Sequence, residues 1–188
     1  MKKIMFNDRY GLTKAVLEGR KTMTRRLCNF KVPDEEIGKI LDHSPKFLIY
    51  KATYKVGDIV AVAQSYKNCG YSPDKIVWKR DRDGKTVLIP LHNDEGWNNK
   101  MYIRGGMMPN RIRITSVRAE RLQDITEKDC IKEGIQFIEA IEKYYYRGER
   151  FYFDTSREAF ASLIDKVSGR GTWQSNPYVW VYEFELLN

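Results

Sequence analysis

The feature that most constrains the fold is a set of short segments in which apolar and polar residues alternate along the chain. In residues 111–114 the two arginines fall on one side of an extended chain and the two isoleucines on the other, and residues 178–187 also alternate. Segments 76–79 and 86–89 flank Asp83-Gly84, a strong hairpin signal. Strands therefore dominate the prediction, and the rhythm of strand, helix and strand that is typical of a parallel sheet is missing.

Helix signals are few and short. Residues 126–129 resemble a capping box, and Thr155 with Glu158 forms a complete one before an apolar helix that Gly169 ends. A shorter helix capped by Asp8 and ended by Gly19 is predicted before a strand over 22–27. These patterns predict a mixed α+β fold that is mainly β: a small β-barrel with peripheral short helices and an inserted β-hairpin segment.

Length and linker composition predict one domain. The chain has 188 residues, within the usual range for a single domain, and contains no linker rich in glycine, serine or proline. Residues 67–106, which carry their own hairpin signal, are interpreted as an insertion between core strands. The predicted domain therefore spans 1–188.

The charge of the chain is strongly positive and uneven. The net charge is +8, and residues 1–32 hold nine lysines and arginines against two acids. Residues 98–118 hold five bases and no acid. Such basic stretches favour a polyanionic partner such as RNA, although solubility alone is an equal explanation. No apolar run is long enough to span a membrane and no signal peptide is evident, so we expect a cytoplasmic protein with no membrane partner.

Metal and cofactor signals are weak. The three cysteines, Cys28, Cys69 and Cys130, are widely spaced without a Cys-x-x-Cys pair, which favours buried thiols over a metal site. Phosphate-loop, dinucleotide-binding and zinc-protease motifs are also missing from the sequence. We therefore expect no metal and no cofactor. The oligomeric state stays open.

Residues 19–26 (Gly-Arg-Lys-Thr-Met-Thr-Arg-Arg) concentrate groups that act on an anion or a polarised carbonyl. A threonine hydroxyl needs a nearby base to become a nucleophile, and Lys21 is a candidate base for Thr24. Neighbouring arginines favour the neutral amine by like-charge repulsion. Three positions separate the two residues, which would place them on opposite faces of a regular strand, but Lys21 lies at the predicted helix-to-strand junction, where a turn can redirect it.

Glu133 is the candidate acid, because it lies in a short predicted helix just before Gly134. Its position alone favours an ordinary surface glutamate. The arginines of residues 19–26 are equally suited to bind phosphate. For Trp173, Trp180 and Tyr182, a core role is favoured over stacking against a base.

Four blocks of the sequence together resemble the ASCH domain family, within the PUA-like superfamily of small β-barrels. They are residues 17–25, residues 56–60, residues 124–129 with Glu133, and residues 178–184, and they occur in the family's order. Compared with the minimal members of the family, the chain is nearly twice as long. The extra residues fall mainly at 67–106 and 136–173, which are predicted to be insertions.

The resemblance implies a function. The family is associated with RNA-related roles, and a small bacterial member hydrolyses N4-acetylcytidine to cytidine and acetate without a metal. By motif, its catalytic residues look like Lys21, Thr24 and Glu133 here: Thr24 would attack the acetyl carbonyl, Lys21 would activate it, and Glu133 would protonate the leaving amine. The predicted substrate-binding residues are Arg20, Thr22, Arg25, Arg26, Arg113, Trp173 and Asn176.

Three functions remain open from the sequence. The first is an amidohydrolase acting on an acylated or otherwise modified pyrimidine nucleoside. The second is a non-catalytic module that binds RNA or a modified nucleotide in the same cleft. The third is a protein-interaction domain. Steep loss of affinity for RNA as salt rises distinguishes the second from the third.

Overall fold

The computed structural model describes residues 1–28, 34–43 and 50–187. The strands in this part of the chain are β1 (Lys3–Ile4), β2 (Met23–Leu27), β3 (Ile59–Val62), β4 (Ile76–Arg80), β5 (Thr86–Pro90), β6 (Arg111–Arg121), β7 (Gln136–Ile138), β8 (Lys143–Tyr145) and β9 (Tyr178–Leu187). The α-helices are α1 (Leu12–Leu17), α2 (Asp34–His43), α3 (Glu127–Lys132), α4 (Ser156–Ser168) and α5 (Thr172–Ser175).

The strands form three sheets, and the predicted barrel is wrong. Five strands make one open sheet in the order β1-β3-β6-β9-β2, while β4 pairs with β5 and β7 pairs with β8 in separate two-stranded sheets. Within the described residues, none of these sheets closes on itself. Alternation along a strand predicts which face is buried, but it contains no information about whether the first and last strands of a sheet meet. The structure is a mixed α and β fold with several small sheets.

Two compact units make up the chain. The first contains residues 1–6 and 59–112 together with Leu187, and the second contains the described parts of 7–58 and 113–186. In the first unit, β1 runs parallel to β3, with Lys3 opposite Ala61. The predicted insertion at 67–106 lies within this unit. The single domain over residues 1–188 remains a prediction.

The first unit has an apolar core of its own. Its buried residues are Ala61, Ala63, Tyr66, Val77, Leu91, Ile103 and Met108. The predicted hairpin is confirmed, because β4 and β5 pair antiparallel around Asp83-Gly84, with Val77 opposite Ile89. The buried Tyr66 hydroxyl accepts a hydrogen bond from the Arg104 amide at 2.8 Å, so this polar group is satisfied inside the core.

The second unit holds strands β2 and β9 and the helices α3 and α4. Strand β9 is buried on both faces from Val179 to Tyr182, which explains its aromatic and β-branched composition. Helix α4 begins with the predicted capping box, in which Thr155 accepts from the Glu158 amide and Glu158 accepts from the Thr155 amide. Each unit therefore contains an element that a local sequence signal predicts: the β4–β5 hairpin in the first unit and the capped helix α4 in the second.

Two local predictions concern the alternation in β6 and the start of α1. Alternation in β6 is confirmed, since Arg111 and Arg113 are exposed while Ile112 and Ile114 are buried. The predicted cap of α1 is wrong: Gly11, in a left-handed conformation, is the N-cap, and the Asp8 carboxylate instead accepts from the Thr13 hydroxyl. Aspartate makes either contact readily, and local sequence does not distinguish them.

The segment before α4 contains a largely buried carboxylate with a lowered pKa. Glu149 accepts hydrogen bonds from Lys166, from the Tyr146 hydroxyl at 2.9 Å and from the Arg150 amide at 2.7 Å. Its side chain is 8% exposed. These bonds, chiefly the one from Lys166, lower the pKa of Glu149 from 4.5 to about 2.

We therefore expect Glu149 to stabilise the fold at neutral pH and to lose this effect in acid. A folded-state pKa below the unfolded one gives stability that is complete above about pH 4.5 and is lost as the pH falls toward 2. Glu149→Gln should flatten the pH dependence of urea unfolding across this range, while Glu139→Gln at an exposed position should not. Equal pH slopes for Glu149→Gln and the wild type would contradict this assignment.

No helix in the described part of the chain is long and apolar enough to span a membrane.

Candidate functional site

Two of the three predicted catalytic residues meet inside the second unit. The Lys21 ammonium lies 2.5 Å from a carboxylate oxygen of Glu133 and 2.7 Å from the Glu133 carbonyl oxygen. The exposed fractions of the two side chains are 2% and 5%. Glu133 is therefore a buried partner of Lys21 and not the surface residue that its sequence position alone favours.

The end of α1 positions Lys21. Gly19 takes a left-handed conformation with φ of +71°, and the amides of Arg20 and Lys21 both donate to the Ala15 carbonyl at 2.9 Å. Glycine adopts this conformation without steric cost, so the chain turns sharply after α1. Lys21 consequently precedes β2 rather than belonging to it, as the sequence predicts.

The end of α3 positions Glu133. Thr126 caps this helix by accepting from the Asp129 amide, and Gly134 ends it with φ of +106°. Lys21 therefore binds both the side chain and the last carbonyl of the helix terminus. Cations are favoured at this end of a helix because carbonyl groups without helical partners point toward them.

Arg25 binds the second oxygen of the same carboxylate. Its guanidinium lies 3.2 Å from Glu133 Oε1, 2.6 Å from Glu120 and 2.9 Å from Asp129. With its side chain 1% exposed, Arg25 is a buried group engaged by three carboxylates. This geometry makes Arg25 a residue that holds Glu133 in place. Its predicted role as a substrate-binding group remains a prediction.

The ion pairs continue across the sheet. Arg118 on β6 binds Glu120, Asp129 and Glu183, and Lys132 also lies 3.5 Å from Glu183. Four cations, Lys21, Arg25, Arg118 and Lys132, thus meet four carboxylates, Glu120, Asp129, Glu133 and Glu183. The cluster is neutral overall. Lys21, Arg25 and Glu133 are its buried part, while Arg118, Lys132 and Glu183 are partly exposed to solvent.

Burial changes the acid-base properties of Lys21. Loss of solvation lowers the pKa of the Lys21 amine below 10.5, and the positive charges of Arg26 and Arg25 lower it further, while Glu133 opposes these effects. The predicted direction agrees with the structure, but burial and not arginine repulsion is the main cause. Burial therefore shifts Lys21 toward the neutral amine, which is the direction that a general base requires.

Alternation along β2 separates the Thr24 side chain from Arg25, the β2 residue that binds Glu133. The strand pairs with β9 so that Thr24 lies opposite Tyr182, and alternation places Thr24 and Arg26 on the face opposite Arg25. Glu133 nevertheless interacts electrostatically with both Arg25 and Arg26. Strand β2 is an edge strand of its sheet, and Glu133 binds Arg25 on the face opposite Thr24.

Thr22, Arg26 and Arg20 make separate local contacts. The Thr22 amide donates to the Lys132 carbonyl at 3.0 Å, so the chain after α3 runs beside the start of β2. Arg26 is partly buried, and this burial lowers its pKa, with Tyr54 and Tyr182 acting in the opposite direction. Arg20 instead points toward Glu18, 2.6 Å away.

Three predicted substrate-binding residues are held by other local contacts. Arg113 pairs with Glu185 at 2.8 Å on an exposed surface. Trp173 packs edge-on against Phe160 with ring centroids 6.1 Å apart. The side chain of Asn176 accepts from the Gln123 amide at 2.8 Å. These contacts are structural, and a role in binding substrate remains a prediction for each residue.

Two cavities lie in the same unit. The larger, of about 530 Å³, is lined by Arg20, Glu127, Lys128, Ile131, Ile135, Gln136, Phe137, Tyr144 and Ser156. The smaller, of about 350 Å³, is lined by Tyr10, Gly11, Lys14, Ala15, Glu18, Arg20, Gly134, Gln136, Tyr145 and Arg147. Lys21, Thr24 and Glu133 line neither, although Gly134 in the wall of the smaller cavity directly follows Glu133.

The acidic partners of Arg25 and Arg118 were not found from the sequence. Glu120 lies in β6 and Asp129 in α3, and they are 95 and 104 residues away from Arg25. The sequence signal for this contact is Asp129 in the first turn of α3. An acid there is explained equally well by its favourable interaction with the helix N-terminus.

Among the described residues, no group of three or more histidine, cysteine, aspartate or glutamate side chains is arranged to hold a metal ion. Comparisons with protein-family models, with curated proteins and with solved structures find no match to this chain.

Proposed function

We propose that this chain is a member of the ASCH family and an amidohydrolase that acts on an acylated pyrimidine nucleoside such as N4-acetylcytidine. The observation that carries the proposal is the 2.5 Å contact between Lys21 and Glu133, which lie 112 residues apart in the chain. The sequence predicts Lys21 as a base and Glu133 as an acid. A buried amine beside a carboxyl group suits proton transfer.

The pair has two arrangements of one proton. In the ionic form the ammonium faces a carboxylate, and in the neutral form an amine faces a carboxylic acid. Burial disfavours separated charge and therefore favours the neutral form relative to water. In this form Lys21 accepts a proton and Glu133 donates one, which are the two roles that amide cleavage requires.

The first half of the reaction forms an acyl-enzyme. The Thr24 oxygen bonds to the acetyl carbonyl carbon while its proton moves to the Lys21 amine. The carbon–nitrogen bond of the tetrahedral intermediate then breaks, and Glu133 gives its proton to the departing N4 amine of cytidine. Lys21 is then an ammonium and Glu133 a carboxylate.

The second half restores the site. Water attacks the threonine ester and gives a proton to the Glu133 carboxylate. The ester bond breaks, acetic acid leaves, and the Lys21 ammonium returns its proton to the Thr24 oxygen. The sum is one amide and one water converted to one amine and one acid.

Arg25 acts as a positioning residue in this scheme. It holds Oε1 of Glu133 and leaves Oε2 facing Lys21, which fixes the carboxyl group in one orientation. Lys21, Thr24 and Glu133 are each less than 6% exposed. A substrate therefore reaches them only if side chains along the edge of β2 move.

The proposal is tested by incubating the protein with N4-acetylcytidine and measuring both products. Cytidine and acetate should appear in equal amounts. A protein that releases neither from N4-acetylcytidine, nor the acid from a panel of other N4-acylated cytidines, would not be this enzyme.

The kcat/KM of the reaction should change with pH in the basic range. The active form of the pair holds one proton, and because burial lowers the pKa of Lys21, this proton is lost below the ordinary lysine value of 10.5. We expect kcat/KM to fall as the pH rises through this loss, because Glu133 then has no proton for the leaving amine. A rate that is independent of pH between 6 and 10 would exclude Lys21 as the general base.

A further inference from the structure

The two cavities of the second unit adjoin each other. Arg20 and Gln136 line both of them, so these residues form a shared wall. The cavities measure about 530 and 350 Å³. Each volume is in the range of small-molecule sites. Together the two cavities form a site whose two halves differ in chemical character.

The larger cavity is apolar and aromatic. Phe137 on β7 and Tyr144 on β8 lie opposite each other, with ring centroids 4.8 Å apart. Phe137 is 46% exposed, and Ile131 of α3 is also largely exposed beside the same cavity. Exposed aromatic faces that line a cavity are suited to stack against a flat ring.

A buried hydroxyl also lines this cavity. Ser156 is 1% exposed, and apart from a weak interaction with the Cys130 thiol its Oγ has no hydrogen-bond partner among the described residues. It lies near the Cys130 thiol, whose pKa is raised to about 11 by burial, but a neutral thiol is a weak hydrogen-bonding group. A ligand with a polar ring edge would satisfy the serine hydroxyl.

The smaller cavity is cationic. Lys14, Arg20 and Arg147 line it together with one acid, Glu18, so the net charge of these groups is 3 − 1 = +2. Glu18 is shared between Lys14 and Arg20. Among the described residues, the exposed Arg147 has no acidic partner. A phosphate monoester, with a charge of about −1.5 to −2 at pH 7, complements this wall better than a carboxylate does.

Arg147 is held against the backbone. A Cβ atom at Gly11 would lie 2.8 Å from Arg147 Cδ, so the absence of a side chain at this position lets the arginine stem pack on the start of α1. Tyr10 and Tyr145 complete the same wall. The arginine is thus placed by packing and not merely attached to the surface.

We propose that the two cavities together bind a nucleoside monophosphate, with the base against Phe137, Tyr144 and Ser156 and the phosphate beside Arg147 and Lys14. The shared wall supplies Gln136 and Arg20 near the sugar. This binding site differs from the Lys21 and Glu133 centre, whose residues line neither cavity. It does not depend on hydrolysis of an amide.

Isothermal titration calorimetry with the four ribonucleoside 5′-monophosphates tests the site, with the corresponding nucleosides as ligands without phosphate. At least one monophosphate should bind about tenfold or more tightly than its nucleoside, because the phosphate makes charge-assisted hydrogen bonds. The proposal is overturned if no monophosphate shows saturable binding up to about 1 mM.

Three variants assign the binding to these residues. Arg147→Gln should remove most of the preference for the monophosphate, while Arg170→Gln, which removes an exposed arginine that lines neither cavity, should preserve it. Phe137→Ala and Ser156→Ala should weaken the nucleoside and the monophosphate alike. Equal losses in Arg147→Gln and Arg170→Gln, or unchanged affinity in both Phe137→Ala and Ser156→Ala, would contradict the assignment.

Discussion

Replacing Arg25 with alanine is expected to lower the free energy of unfolding by about 3–5 kcal/mol, because breaking a buried ion pair leaves its partner charge uncompensated. In this protein three carboxylates, Glu120, Asp129 and Glu133, lose their shared guanidinium at once. Arg25→Lys should recover only part of the loss, since one ammonium lacks the planar fork that binds several carboxylates. Urea unfolding followed by circular dichroism measures the effect.

Arg113→Ala is the matched control for Arg25. Arg113 lies on β6, two strands away from β2 in the sheet, and pairs with Glu185, but both side chains are about half exposed. Exposed ion pairs contribute about 0–1 kcal/mol, so this variant should unfold almost as the wild type does. Similar losses for Arg25→Ala and Arg113→Ala would show that the buried cluster does not stabilise the fold as described.

Lys21→Met is expected to reduce kcat/KM for N4-acetylcytidine by about 10²–10⁴-fold, the usual contribution of a general acid or base. The methionine side chain fills much of the same buried space. Glu133 keeps its contact with Arg25, so the variant should remain folded. If Lys21 serves only to transfer protons, the loss should fall mainly on kcat and not on KM.

A second lysine variant separates catalysis from a general charge effect. Lys143→Met removes the charge of a partly exposed lysine that pairs with Asp154, away from the residues of the proposed reaction. Its rate should equal that of the wild type. Equal activity of Lys21→Met and Lys143→Met, with both proteins folded, would remove Lys21 from the mechanism.

Local features of the fold were predictable because their causes are local. The hairpin follows from Asp83-Gly84, whose glycine takes φ of +80° in the turn. The start of α4 follows from Thr155 and Glu158, which need only be three residues apart to cap a helix. These signals act over a few residues, so one sequence is enough to display them.

The neighbours of each strand were not predictable in the same way. The parallel pairing of β1 with β3 joins segments more than fifty residues apart, and neither segment contains a signal that selects the other. The expected barrel was wrong for this reason. Closure depends on the meeting of two edge strands, which alternation within each strand leaves undetermined.

In the candidate site, too, the residues with local sequence signals were predictable and the partners distant in sequence were not. Lys21 and Glu133 were identified by residue type and short motif, and the structure brings them together. Arg25 was interpreted as a substrate-binding group because its partners, Glu120 and Asp129, are distant in sequence. A buried arginine and an anion-binding arginine look alike until the acids around them are located.

Acetate release by Thr24→Val tests the central claim most directly. Valine keeps the shape of threonine without the hydroxyl, so the proposed nucleophile is lost while β2 is preserved. With N4-acetylcytidine, Thr24→Val should be slower than the wild type by on the order of 10³-fold or more, as expected for removal of a nucleophile. The matched variant Thr115→Val, at an exposed position of β6, should release acetate at the wild-type rate. Equal rates for Thr24→Val and Thr115→Val would contradict a reaction that begins at Thr24.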